Sequence, residues 1–240
     1  MMRPVLSRRA KLGLLGAFVL GLVAFFPLRL AIGLFGLEGQ GVSARAVQGS
    51  LWYGRIDQLM VGDVSVGTVH AGLSPIQLLV GRARLDLGRK AGLPDDIEGA
   101  LTVGFGRIGL DDVTGNLPIG VALAPLPISD VTFTDMSAYF SGGACGHAEG
   151  RVKASIAGEL PGLNLSQGLS GDVRCDGSSI LLPLVSQSGL EKLNLRINAD
   201  GHYTAEMRVT SSDPALRQGL GAMGFQQAGD GYMLRIDGTL

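Results

Sequence analysis

Apolar and polar residues alternate along most of the chain, and a period of two marks half-buried strands. Ala83, Leu85 and Leu87 alternate with Arg82, Arg84 and Asp86, and Leu101, Val103 and Phe105 with Thr102 and two glycines. Val152, Ala154 and Ile156 stand opposite Arg151, Lys153 and Ser155. The clearest pair is Leu193, Leu195 and Ile197 followed, after Asp200-Gly201, by Tyr203, Ala205, Met207 and Val209. Asp-Gly between two alternating runs predicts a hairpin with a tight turn whose central residues both take positive φ. A last strand runs through Tyr232, Leu234 and Ile236. Helical signals are short. Asp213-Pro214, then Ala215 to Met223 and Gly224, reads as cap, first-turn proline and stop, and Ser74-Pro75 to Val80 with Gly81 is a briefer version.

The first 38 residues follow another pattern. Arg3, Arg8, Arg9 and Lys11 precede an uncharged run of 17 residues, Leu12 to Leu28, built on Leu12, Leu14, Leu15, Phe18, Val19, Leu20, Leu22, Val23, Phe25, Phe26 and Leu28. Arg29 interrupts it, and Leu30 to Leu37 continue apolar. Seventeen residues is the short end of what crosses a bilayer, and Arg29 lengthens the span by snorkelling its guanidinium to the interface. Basic residues before the run and few after it predict a cytoplasmic N-terminus. A cleaved signal peptide wants a small-x-small site that Ala24-Phe25-Phe26-Pro27 does not offer, and a core helix rarely carries so one-sided a charge flank. The expected organisation is a basic segment 1–11, a signal anchor 12–37 and an exported domain 38–240. The expected fold class is mainly β: one N-terminal transmembrane helix, then a meandering, mostly antiparallel curved sheet with one or two short helices.

Composition agrees. Glycine supplies 38 of 240 residues without a Gly-X-Y period and aromatic residues 5%, which suits many short strands better than helices. The formal charge is −1, and without the first 38 residues the remainder carries 15 basic and 20 acidic residues. Such a surface has no general attraction for nucleic acid. Arg82, Arg84, Arg89 and Lys90 form a local basic group, read first as the solvated face of a strand and its turn, with a site for an acidic ligand as the alternative. Cys145 and Cys175 both fall in the exported part. A disulfide is the default there, closing a loop of about 30 residues for roughly 3–4 kcal/mol; free thiols, or a Cys145-Gly146-His147 metal or nucleophile site, are the alternatives.

Catalytic motifs are missing. The chain has no G-x-S-x-G, P-loop, H-E-x-x-H or C-x-x-C. Gly104 to Gly109 matches G-x-G-x-x-G but lacks the long following helix that phosphate binding needs, so it reads as a chance match. Asp95-Asp96 and Asp111-Asp112 read as turn aspartates, and His70, His147 and His202 are scattered. Ser186 and Ser188 with Lys192 lack the S-x-x-K spacing. No enzyme, metal or cofactor is expected. The only tryptophan lies in Gly49-Ser50-Leu51-Trp52-Tyr53-Gly54. It reads either as a packing residue on the first strand or as a membrane-interface or partner contact.

These residues in this order resemble the type II secretion system protein N family. Val47 to Gly54, with Gly49, Leu51, Trp52 and Gly54, is similar to the family's G-T-L-W-x-G segment. Leu73-Ser74-Pro75 and Leu78-Leu79-Val80-Gly81-Arg82 resemble its L-x-P and L-L-x-G-R elements, with His70 where the family pattern has tryptophan. Gly168 to Gly177, Leu181 to Leu184, Ser186-Gln187-Ser188-Gly189, Asp213-Pro214, Gly224-Phe225 and Gly231-Tyr232 complete the series. The resemblance implies a single-pass inner-membrane protein with its bulk in the periplasm. It also implies an accessory, scaffolding or assembly role beside the inner-membrane platform subunits of the secretion machine. The family's β-rich character is similar to envelope proteins of the AsmA and TamB kind, which implies lipid handling or envelope maintenance as the alternative. The expected partners are therefore platform subunits and the bilayer through the anchor, with possible lipid contact at the sheet and no nucleic acid.

Overall fold

The computed structural model describes residues 7–30, 42–89, 96–119, 123–124, 126, 128–156, 165, 167–210, 216, 219–221 and 223–239. Within them the chain is an antiparallel sheet of 16 strands. The first are β1 (Val42–Ser43), β2 (Ala46–Gly49), β3 (Gly54–Val61), β4 (Val64–Leu73), β5 (Ala83–Arg89) and β6 (Ile97–Gly104). Then come β7 (Arg107–Pro118), β8 (Ile128–Ser141), β9 (Ala144–Ile156), β10 (Leu169–Asp172), β11 (Arg174–Asp176) and β12 (Ser179–Ser186). The series closes with β13 (Glu191–Ile197), β14 (His202–Val209), β15 (Gln226–Ala228) and β16 (Gly231–Thr239). From β3 to β10 every strand pairs with its successor, and the order continues β12-β13-β14-β16-β15. Glycine-rich turns and period-two patterning produce this meander, because each short connection returns the chain beside the strand it just left.

The sheet curls. Register shifts interrupt the β3–β4, β6–β7, β7–β8 and β8–β9 ladders. Gln58, Asp112 and Asp135 lie at three of them with φ of 51°, 54° and 48°, and such bulges bend a strand and increase its twist. Asp111-Asp112 therefore belongs to a bulge inside β7, not to a turn as its sequence suggests. Asp95 lies outside the described residues. Curling turns the apolar face inward, where Leu169, Leu193, Met207, Val209 and Leu220 are fully buried in a large core over β7–β16. A smaller cluster under β3 and β4 holds Leu28, Ile56, Leu59, Val69 and Ala71. Between the two lies an apolar cavity of about 480 Å³, bordered by Leu59, Val69, Leu87, Val113, Phe133 and Met136. Thr239 of β16 reaches the same cavity as the β3–β4 turn, so strands far apart in the order face one another.

The predicted β13–β14 hairpin has Leu193 opposite Met207, Leu195 opposite Ala205 and Ile197 opposite Tyr203. Its turn differs from the expected two-residue form. Gly201 N–H donates to the Asn198 carbonyl, and only Gly201, at φ 82°, is left-handed. Asp200 instead accepts the His202 amide with its side chain at 3.0 Å, which holds the three-residue loop of a type I turn plus a left-handed glycine. The tight turn with two positive φ occurs elsewhere, at Phe105 (φ 48°) and Gly106 (φ 71°) between β6 and β7. This is the G-x-G-x-x-G segment, and it removes Phe105 from the strand face where alternation put it.

Helix α1 spans Arg8–Ala24 and is capped by the Ser7 hydroxyl, which accepts the Ala10 amide. Helix α2 spans Pro75–Leu79, with proline in its first turn as expected and Gly81 at φ 74° after it. Helical backbone also occurs at Leu216 and at 219–221, with Gly224 at φ 88° closing it, while Asp213-Pro214 lies outside the described residues. None of the described helices is long and apolar enough to cross a membrane. The apolar part of α1, Leu12 to Ala24, reaches roughly 20 Å at 1.5 Å per residue, short of a hydrocarbon core of about 30 Å. The helix stops because Pro27 disfavours helical geometry at Phe26 and has no amide to donate.

Candidate functional site

The run that stands out as anchor and the segment that carries the only tryptophan meet at one end of the sheet. After α1 the chain bends at Pro27, which pairs as an isolated bridge with Ser50. The Leu51 amide donates to the Phe26 carbonyl at 2.8 Å, and the Trp52 indole Nε1–H donates to the Val23 carbonyl at 2.8 Å. A helix leaves its last four carbonyls without intrahelical donors. The indole satisfies one of them, so Trp52 works as a side-chain cap on α1. It stands in the turn ahead of β3 rather than on a strand face.

The flanking residues make the geometry possible. Gly49 sits at φ 86°, and a Cβ there would meet the Tyr53 carbonyl oxygen at 2.5 Å. Gly54 lies under Leu28, whose Cδ2 any added Cβ would strike. Leu28 is only 2% exposed and belongs to the small core, so the last residue of the uncharged run plugs the sheet. Leu51 packs half-buried on the same core and its carbonyl accepts the Leu73 amide at 2.9 Å. This passes the connection to α2, whose Ser74 amide donates to Arg84. Gly49, Leu51, Trp52 and Gly54 thus form one clamp on the base of α1.

Along α1 itself the side chains of Leu12, Leu14, Leu15, Phe18, Val19, Leu20, Leu22 and Val23 are exposed, as is Phe25 beyond its end, and Phe26 is half-buried. Arg8, Arg9 and Lys11 occupy its first turn and also face solvent, while Arg3 lies outside the described residues. Beside the clamp, Arg84 lies among three carboxylates, at 2.9 Å from Asp86, 3.6 Å from Asp111 and 3.5 Å from Asp112. The hydrogen bond to Asp86 raises its pKa further above the ordinary arginine value, against a smaller opposing effect of burial.

The second family-like segment, Ser186-Gln187-Ser188-Gly189, is the β12–β13 turn. Gly189 N–H donates to the Ser186 carbonyl, and the Ser186 and Ser188 hydroxyls both donate to Oε2 of buried Glu191. Lys192 points to solvent. The turn satisfies a buried carboxylate, and Glu191 is a residue that sequence reading passed over. Cys145 and Cys175 form a disulfide with Cα atoms 5.6 Å apart, tying β9 to β11. His147 stacks on Tyr139 and approaches Glu149 at 3.2 Å. Among the described residues no three side chains of His, Cys, Asp or Glu gather as metal ligands.

A sequence-family model described as Type II secretion system (T2SS), protein N matches residues 40–235. A curated relative, Type II secretion system protein N of Vibrio cholerae, is 25% identical over 217 residues, covering 84% of this chain and 85% of its own length. No solved structure matches the chain.

Proposed function

Since the chain belongs to the type II secretion system protein N family and is thereby a component of type II secretion, we propose that it acts as a membrane-tethered scaffold or assembly factor. In this reading residues 1–11 are cytoplasmic, the segment 12–37 anchors the chain in the inner membrane, and residues 38–240 are periplasmic. The chain works by position and not by catalysis, with inner-membrane platform subunits as its partners. The observation that carries it is the clamp, in which Trp52 and Leu51 fasten the sheet directly to the last turn of an apolar helix. A helix apolar all round and covered by no protein is suited to lipid. Its apolar part, Leu12 to Ala24, is shorter than a bilayer core, and in this reading Arg8, Arg9 and Lys11 extend its reach by snorkelling to headgroups on the cytoplasmic side. On the sheet, β15 pairs only with Gly231 to Met233 of β16. Beyond Met233 that edge of β16 has no strand partner among the described residues, and such an edge accepts a partner strand by main-chain hydrogen bonds.

The test is the extracellular proteome of a clean deletion strain against a complemented one, with outer-membrane permeability measured in parallel. Folded hydrolases lost from the medium and retained in the periplasm, behind an intact barrier, support the scaffold. A leaky outer membrane with unchanged secretion contradicts it. The second reading, that the sheet shelters acyl chains, is supported by the apolar cavity of about 480 Å³ between the two cores. It predicts lipid co-purifying with the chain, lost on Val113→Lys, and detergent-purified protein free of lipid by mass spectrometry counts against it.

A further inference from the structure

The end of the sheet that receives α1 carries more exposed apolar surface than folding needs. A ladder of contacts leads from the clamp to α2 through the Leu73 amide and the Leu51 carbonyl. From α2 the chain reaches Gly81, over which the ring of Phe105 lies so closely that a Cβ there would be 2.5 Å from it. The β6–β7 turn in its turn accepts the Gly142 amide at the Gly106 carbonyl. Along this one rim Tyr53 is 85%, Leu79 87% and Phe105 78% exposed, and Ile76 and Val80 also face outward. Contiguous exposed apolar side chains of this kind mark interaction surfaces.

Two further features point to the occupant. Phe105 holds φ 48° at the first central position of a two-residue turn, where Asn, Asp or Gly is usual, so the fold tolerates backbone strain to keep a large ring at the tip. Arg82 and Arg107 flank that ring along a shallow groove that Tyr139 and Asp111 also line. Asp111 is held by Arg84 at 3.6 Å, Arg107 lies 5.4 Å over the Tyr139 ring, and no ion pair of Arg82 or Arg107 occurs among the described residues. Apolar and aromatic side chains framed by arginines match the boundary between acyl chains and anionic headgroups. The base of α1 is fastened to this same rim.

We propose that the rim formed by Tyr53, α2 and the Phe105 turn seats on the phospholipid bilayer that holds α1. Leu79 and Phe105 enter the interface, and Arg82 and Arg107 meet lipid phosphates. The inference rests on the reading of α1 as a membrane anchor. It adds a second contact, which fixes the tilt of the sheet where the anchor alone leaves it free to swivel.

Both native cysteines are engaged in the disulfide, so one added cysteine takes a spin label cleanly. The full chain is placed in vesicles of phosphatidylethanolamine with a minority of phosphatidylglycerol, labelled at L79C, F105C, F18C or D230C. Relaxation by oxygen, which favours lipid, is compared with relaxation by a water-soluble nickel chelate. The oxygen-to-nickel ratio at residues 79 and 105 is expected to be several-fold above that at 230 and to approach that at 18. R82Q with R107Q should lower the ratio at 105 when phosphatidylglycerol is present. A high ratio at 18 with water-like values at 79 and 105 overturns the proposal and leaves the rim to a protein partner. Low access to both reagents at 79 and 105 overturns it too, because it signals a protein contact. A water-like ratio at 18 overturns the anchor reading itself.

Discussion

Trp52 links the two materials of this chain by one hydrogen bond, and its worth can be measured. Trp52→Phe keeps an aromatic ring, though a smaller one, and removes the Nε1–H that reaches the Val23 carbonyl. Losing one neutral hydrogen bond costs about 1 kcal/mol, and hydrogen exchange at the Leu51 amide should quicken by roughly fivefold. Unchanged exchange would mean that the indole bond does not hold the junction. Gly54→Ala is expected to cost more, about 1–3 kcal/mol in a urea melt, since its Cβ must displace Leu28 from the small core. At the β12–β13 turn, Glu191→Ala strands the Ser186 and Ser188 hydroxyls. A loss of about 1–3 kcal/mol is expected, and it should shrink when both serines are replaced by alanine first. The serines and the tryptophan were legible as a segment, but their partners were not. Glu191 and the Val23 carbonyl are joined to them by folding alone, and no spacing in the sequence announces a side chain that caps a helix 29 residues upstream.

At the scale of elements, period-two alternation found β5, β9, β13, β14 and β16, and β14 shows the reason most plainly, since Tyr203, Ala205, Met207 and Val209 are buried while the residues between them are not. It misjudged the turns. Asp200-Gly201 has the composition of a two-residue turn, yet the Asp200 side chain pulls the loop into a longer form. Phe105-Gly106 has a poor composition for one and adopts it. Removing that strain is a direct test: Phe105→Gly should stabilise the chain by about 1 kcal/mol in thermal unfolding while weakening its hold on vesicles. Destabilisation would show that the ring packs on Gly81 more than it serves the surface. The bulges of β3, β7 and β8 were equally silent in the sequence, since Gln58, Asp112 and Asp135 look like ordinary strand or turn residues. They supply the curl on which the cavity depends.

For the whole molecule, composition and glycine content announced a β-rich chain, and the resemblance announced its family. How the curled sheet covers its apolar face was not legible, because alternation tells which face is apolar and not what covers it. The disulfide is the one covalent tie across the sheet, between β9 and β11. Cys145→Ser with Cys175→Ser should lower stability by about 3–4 kcal/mol, read as a fall in the urea midpoint. An unchanged midpoint would show that the ladders around β9 hold that loop without it. In the proposed function the deciding feature is the tether. If position is what the sheet contributes, a sheet set free in the periplasm should do nothing for secretion. The measurement is complementation of a deletion strain with a chain in which a cleaved signal peptide is joined at Phe25, keeping Leu28 and the Trp52 segment. Protein level and disulfide state are matched to the intact chain. The account predicts that the released sheet accumulates folded while hydrolase secretion stays at the level of the deletion. Full secretion restored by the released sheet would contradict it.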